Sequence, residues 1–257
     1  MQNLFDQVIF GPIHSRRLGL SLGVNLLPVD AKICSFNCVY CECGFNTTMQ
    51  AFNFPMRSEV KAILTRKLNQ MVAAGEIPNT ITFSGNGEPT LHPDFEGIID
   101  DTIALRNELC PSAKVSVLSN STRINKPHIF SALNKVDNNI LKFDSAIDHT
   151  IKLMDQPVGK NINVAWLTNE LQKFKGNLII QTMFLRGEYQ GEKIDNTTDI
   201  EIEAWLEALK KIRPKQVMIY SIDRDTPVQQ LQKVAVSELN TIAERVKSAG
   251  FEVSVAG

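Results

Sequence analysis

The sequence lacks any run of about 18 apolar residues, which leaves no candidate for a membrane-spanning helix. Its opening, Met1-Gln2-Asn3-Leu4-Phe5-Asp6, lacks the basic and apolar regions of a signal peptide. A cytoplasmic protein with reduced cysteines is the expectation. Neither sign of charge dominates: 27 Lys and Arg stand against 28 Asp and Glu, a net charge of −1. Bulk electrostatics therefore select no polyanion, although a local patch can still bind one. There is no long basic tail and no appended RNA-binding module. No linker or low-complexity stretch divides the chain, so residues 1–257 are expected to form one domain. Cysteine is scarce, with five in the chain and none beyond Cys110. Cys110 ends an apolar helical stretch and is expected to be buried as a small hydrophobe.

Three of those five cysteines lie in Cys34-Ser35-Phe36-Asn37-Cys38-Val39-Tyr40-Cys41, a C-x3-C-x2-C spacing within a loop of about residues 32–44. Thiolates are soft ligands for zinc, copper(I) or iron–sulfur clusters. Short spacers let one loop curl around one centre. Three local thiols on a four-iron cube leave one iron free for a small molecule. A structural zinc site wants four ligands, usually in two pairs, and no second C-x-x-C follows. A disulfide lacks an oxidising context. A ferredoxin-type electron carrier needs a fourth ligand, which Cys43 can supply.

Periodicity gives alternating β and α elements. Ser21 to Pro28 reads as the first strand. Ser58 reads as the N-cap of a helix running to Gly75. Thr80–Phe83, Lys114–Ser119, Asn139–Phe143, Leu178–Phe184, Gln216–Tyr220 and Phe251–Val255 read as further strands. The intervening helices are Asp94–Cys110, Lys126–Leu133, Asn161–Phe174, Ile200–Ile212 and Ser237–Ala249. About six β-α repeats with near-continuous apolar strands imply a parallel sheet under outer helices, either doubly wound or a barrel. In such folds the functional groups gather past the C-terminal strand ends. Those ends carry Ser84-Gly85-Asn86-Gly87-Glu88-Pro89-Thr90, Ser119-Asn120-Ser121-Thr122 and Lys142-Phe143-Asp144-Ser145. Gln181, Arg186 and Asp223-Arg224-Asp225 follow later strands as weaker candidates, and Arg16-Arg17 precedes the first as a candidate anion contact. His92 reads as structural or surface-facing rather than catalytic. Ser121 and Ser145 read equally well as turn or cap residues.

The cysteine spacing, with Tyr40 at the aromatic position, resembles the signature of the radical S-adenosylmethionine (SAM) superfamily. Gly85-Asn86-Gly87-Glu88 resembles that family's Gly-Gly-Glu-like motif, with Asn86 in place of the first glycine of the pair. Ser15 to Gly23 and Thr82 to Pro93 narrow the resemblance to a branch of short, single-cluster iron–sulfur oxidoreductases, distantly related to the wybutosine-forming tRNA enzymes. The resemblance implies a partial (β/α)6 barrel of parallel strands with outer helices, open on one side. It implies a [4Fe–4S] cluster on Cys34, Cys38 and Cys41, with SAM chelating the fourth iron. It places Tyr40 near the adenine and gives Glu88 the SAM ammonium, with Gly85, Asn86 and Gly87 around it. Ser119, Asn120 and Asp144 would hydrogen-bond the ribose and carboxylate. Reductive SAM cleavage would then drive hydrogen abstraction from a tRNA or nucleoside, a peptide or a small molecule. A reductant such as flavodoxin or ferredoxin would serve as partner, and the loops 44–57 and 185–199 would help close the mouth. Members that modify peptides often carry a second, C-terminal cluster domain, and the absence of cysteine beyond Cys110 argues against one here. Two alternatives remain: an activating enzyme that installs a glycyl radical on a partner protein, and a non-catalytic iron–sulfur electron carrier.

Overall fold

The computed structural model describes residues 3–48, 53–159 and 161–256. The chain opens with a hairpin, β1 (Ile9–Ser15) and β2 (Gly19–Val24). The elements α1 (Arg57–Ala73), β3 (Thr80–Phe83), α2 (Phe95–Leu109), β4 (Lys114–Ser119), α3 (Pro127–Lys135) and β5 (Asn138–Lys142) follow. Then come α4 (Asp148–Met154), α5 (Val164–Gln172), β6 (Ile179–Tyr189), β7 (Glu192–Asp195), α6 (Asp199–Ile212) and β8 (Gln216–Ser221). The chain closes with β9 (Gln232–Lys233), α7 (Val236–Ser248) and β10 (Val253–Ala256).

The main path through the sheet is β1-β2-β3-β4-β5-β6-β8-β10. From β2 onward every neighbour along it is parallel, and only β1 is antiparallel. The parallel strands curl into the expected partial barrel with helices outside. Its edges, β1 and β10, do not pair with each other, so one side stays open. The outer core lies between strands and helices. Leu22, Val24, Ile81, Phe83, Val115 and Val117 are completely buried there against Leu64, Leu68, Phe95 and Ile99. Each such side chain contributes about 1.5–3 kcal/mol by leaving water. Trp205 of α6 is buried too, its indole N–H donating to the Phe143 carbonyl at 3.2 Å and its ring meeting Phe184 edge-on.

Several elements differ from the expectation. The first strand is β1, hidden in the sequence by Gly11-Pro12 and by a register shift between Phe10 and Ile13. Helix α1 begins one residue before Ser58, with Met56 at the N-cap, so Ser58 caps nothing. Helix α4 precedes a shorter α5, which is capped by the Asn163 side chain. The 185–199 stretch is the β6–β7 hairpin for much of its length rather than a loop. Residues 49–52 of the 44–57 stretch lie outside the described residues. Among the described residues no helix is long and apolar enough to cross a membrane.

Candidate functional site

The cysteine segment leaves β2 through Asn25 and is fastened at both ends. On one side Ile33 bridges to Gly87 in parallel β fashion: its N–H donates to Asn86 O at 2.9 Å, and its carbonyl accepts from the Glu88 N–H at 3.0 Å. Gly87 has φ +140°, and a Cβ there would overlap the Ile33 carbonyl. The glycine therefore admits the cysteine loop's own backbone. On the other side the Asn37 and Val39 N–H groups donate to Asp155 O and Met154 O, both at 2.9 Å. Asn46 ties the loop internally, its side-chain amide donating to Cys34 O and Phe36 O and its backbone N–H donating to Asn37 Oδ1. Lys32 is buried, and its ammonium donates to Gly44 O at 2.6 Å.

Cys34, Cys38 and Cys41 open onto one cavity of about 220 Å³ at the C-terminal strand ends. The same cavity is lined by Tyr40, Gly85, Gly87, Glu88, Ser119 and Asn120, and also by Lys32, Lys142 and Gln181. Glu88 is buried at the β3–β4 wall. Its Oε1 accepts from the Thr90 N–H, the Thr90 hydroxyl and the Ser119 hydroxyl, and its Oε2 from the Asn120 N–H at 2.6 Å. Burial raises its pKa, while these four donors work to keep it charged. Oε2 retains acceptor capacity toward the cavity. Asn120 also donates to Ser35 Oγ at 2.9 Å and to Cys34 Sγ at 3.3 Å, which couples this wall to the first thiol.

Two expected site residues face elsewhere. Asn86 is fully buried, and its amide is consumed by Phe5 N–H, Phe5 O and Pro28 O, so it anchors the N-terminal segment and does not line the cavity. Asp144 also does not line it. Its Oδ1 accepts from the Met183 N–H, and its Oδ2 receives Lys142 at 3.0 Å together with the Tyr40 hydroxyl. Tyr40 lines the cavity, but its hydroxyl is committed to Asp144, Asp155 and Lys142. Lys142 also stands 4.4 Å from the centre of the Tyr40 ring.

This buried charge cluster was not anticipated. Lys142 sits 3.5 Å from Asp155, which in turn accepts from the Cys38 thiol at 3.5 Å. Burial works against the Lys142 ammonium, but Asp144, Cys38 and Asp155 outweigh it and raise its pKa. Burial pushes the Asp155 carboxyl up to about 8 against the pull of Lys142, with Asp144 adding to the rise. Lys142 is two residues before Asp144 on the same strand parity, a signal available in the sequence. Asp155 arrives from the loop after α4 and carried none.

Other candidates resolve as structural. Arg186 pairs with Glu238 and Asp195, away from the cavity. Asp223 pairs with Arg16 and Lys233, and Arg224 with Glu42. His92 is buried, accepting from the Asp94 N–H and donating to Pro55 O. Ser145 is bonded to Glu201 and to the Ile147 N–H. Cys110 is fully buried. Cys43 is buried with its thiol 3.4 Å from Gly85 O and does not line the cavity.

The thiols differ in acidity. Burial pushes Cys34 up to about 11, with Glu88 adding to the rise, and pushes Cys38 well above the ordinary thiol range. A hydrogen bond from Cys43, helped by the Lys32 ammonium, brings Cys41 down to about 6 despite its burial. Two thiolates here are thus unfavourable until a cation neutralises them, and a bound metal deprotonates a coordinating thiol. Among the described residues no three His, Cys, Asp or Glu side chains close to the spacing of a single metal ion. The three thiols line one cavity.

Comparison with known proteins agrees with this chemistry. The profile of the Radical SAM superfamily matches residues 29–188, which hold all three cysteines and the glycine turn. A protein of Helicobacter pylori strain J99 named UPF0026 protein is 30% identical over 222 residues, 84% of this chain and 67% of its own length. A radical SAM methyltransferase from Sphaerobacter thermophilus has the same fold, with a TM-score of 0.68 at 14% identity over 92% of this chain and 65% of its own. TYW1, in a structure with a lysine-pyruvate adduct bound, gives a TM-score of 0.61 at 15% identity over 89% of this chain and 73% of its own.

Proposed function

The chain belongs to the radical SAM superfamily, whose cofactors are a [4Fe–4S] cluster and SAM, and on that premise we propose how its residues divide the reaction. Cys34, Cys38 and Cys41 would hold the cluster through their thiolates, leaving one iron open for SAM. Glu88 takes the SAM ammonium through Oε2, in a charge-assisted hydrogen bond. Asn120 and Ser119 hold Glu88 in place, and Asn120 offers its amide beside Cys34. Tyr40 gives a ring surface rather than a hydroxyl, because its hydroxyl is already engaged. Asp144 acts indirectly, by fixing Lys142 and Tyr40. The observation that carries this reading is that the three thiols and the Glu88 carboxylate share one cavity.

Held by Cys34, Cys38 and Cys41, the cluster would supply the electron for reductive SAM cleavage, the source of the hydrogen-abstracting chemistry. The residues of the chain bind, orient and shield these groups. The substrate is a tRNA or nucleoside, a peptide or a small molecule, and flavodoxin or ferredoxin serves as reductant. Cys43 does not line the cavity, which disfavours the four-thiol electron carrier.

The test is anaerobic. The cluster is reconstituted, reduced with dithionite and supplied with SAM, and 5′-deoxyadenosine and methionine are quantified by mass spectrometry. Both products should form, and both should vanish in Cys38→Ala. A cluster-loaded protein that yields neither, and whose paramagnetic resonance spectrum is unmoved by SAM, overturns the proposal.

A further inference from the structure

The chain's own β1–β2 turn reaches side chains of β6 and β8. Leu18 packs against Ile140, Ile179 and Met218 inside the lumen, while Arg16 pairs with Asp223 beyond β8 at 3.5 Å. Between them Arg17 donates to Gln181 Oε1 at 2.7 Å and lies over the Tyr220 ring at 4.5 Å. Gln181 donates its own amide to the Tyr220 hydroxyl at 2.8 Å, so its flip is fixed, and it lines the cavity.

The two arginines differ in one respect. Arg16 has a carboxylate partner. Arg17 is half-buried, and among the described residues no carboxylate lies within ion-pair distance of it. Its guanidinium has five N–H donors, of which Gln181 takes one. Among the described residues the remaining N–H groups have no acceptor, yet none is a buried orphan. A planar cation clamped by an amide and an aromatic ring, with donors to spare, matches a carboxylate or phosphate in two-point contact.

We infer that Arg17, held by Gln181 and Tyr220, is a subsite for an anionic oxygen group, carboxylate or phosphate, on the substrate. The inference rests on reading the cavity as the reaction site; Arg17 does not itself line that cavity and adjoins it through Gln181, which does. It is distinct from the SAM position: the glycine turn and Asn120 form the β3–β4 wall, whereas Arg17 meets side chains of β6 and β8.

The experiment titrates the cluster-loaded protein with inorganic phosphate and, separately, with acetate, by calorimetry with and without SAM. The wild type should bind at least one of the two, phosphate preference marking a phosphoryl substrate and acetate preference a carboxylate. Arg17→Gln should weaken binding about tenfold or more, and Arg16→Gln should leave it unchanged. Gln181→Glu sets a carboxylate against the guanidinium and should abolish binding, which gives a second variant if Arg17→Gln folds poorly. The inference falls if neither anion binds the wild type at millimolar concentration, if both variants bind as the wild type does, or if SAM competes with the anion. Wild-type protein that fails to cleave SAM but shows the expected titration would overturn the radical reading and leave the anion site standing.

Discussion

Ile33 and Gly87 are joined by a β-bridge, so the loop that carries the cysteines and the turn that carries Glu88 share one piece of backbone. The spacing between the cysteine loop and the turn that carries Glu88 is therefore set by main-chain hydrogen bonds. Gly87→Ala tests this. The new methyl meets backbone, and φ +140° is hostile to any L side chain. A loss of roughly 2–4 kcal/mol is expected, together with a fall in iron and sulfide retained after reconstitution. Undiminished iron content would mean that the loop forms without the bridge.

Glu88 should separate SAM binding from cluster assembly. Glu88→Gln keeps the shape of the side chain and loses its charge. SAM affinity, read from the SAM-dependent change in the reduced cluster's resonance spectrum, should fall about tenfold to a hundredfold with iron content retained. Glu88→Ala should in addition destabilise the chain, since the Asn120 N–H and the Ser119 hydroxyl lose their acceptor. Loss of iron with SAM affinity intact would refute the assignment.

Lys142 holds two buried carboxylates. Lys142→Met leaves Asp144 and Asp155 without their cation and should cost about 3–5 kcal/mol in denaturant unfolding at neutral pH. Adding Asp155→Asn should recover part of that loss, because it replaces a carboxyl crowded against Asp144 with a neutral amide. Simple additivity of the two changes would show that the three groups do not act as a unit.

A pH-dependent prediction comes from the far side of the sheet. Burial opposes charge on Asp137, but the Val115 N–H at 2.8 Å and the Arg106 guanidinium at 2.7 Å hold its carboxyl below the usual range. Its folded pKa is thus lower than its unfolded one. The stability it adds is present above the unfolded value of about 3.9 and is lost as pH falls through the folded value. Asp137→Asn should cost roughly 1–2 kcal/mol at neutral pH, with the gap from wild type narrowing below about pH 4. A constant gap across that range would show that the charge is not responsible.

Much of this was legible in short-range pattern. Strands Thr80–Phe83 and Lys114–Ser119 end where periodicity ends them, and α2 falls one residue inside each end of the expected Asp94–Cys110. The cysteine spacing and Glu88 needed only local sequence. What could not be read was partnership across the chain. Asn86 looks like a ligand contact until Phe5, 81 positions away, takes its amide. Asp144 looks free until Met183 and Lys142 claim its two oxygens. Helix α4 is too short for periodicity to reveal and has no side-chain cap.

The β1–β2 turn has a consequence for the order in which a newly made chain acquires its parts. Arg17 waits for Gln181, 164 positions later, and Arg16 for Asp223. At about 5–20 residues per second of synthesis, roughly 10–40 s separate Arg16 from its partner. The main-chain bonds that fasten the cysteine loop need nothing beyond Val158. A nascent chain can thus complete the backbone fastening of the cysteine loop before the β1–β2 turn finds its partners, and the ribosome sets the interval between the two.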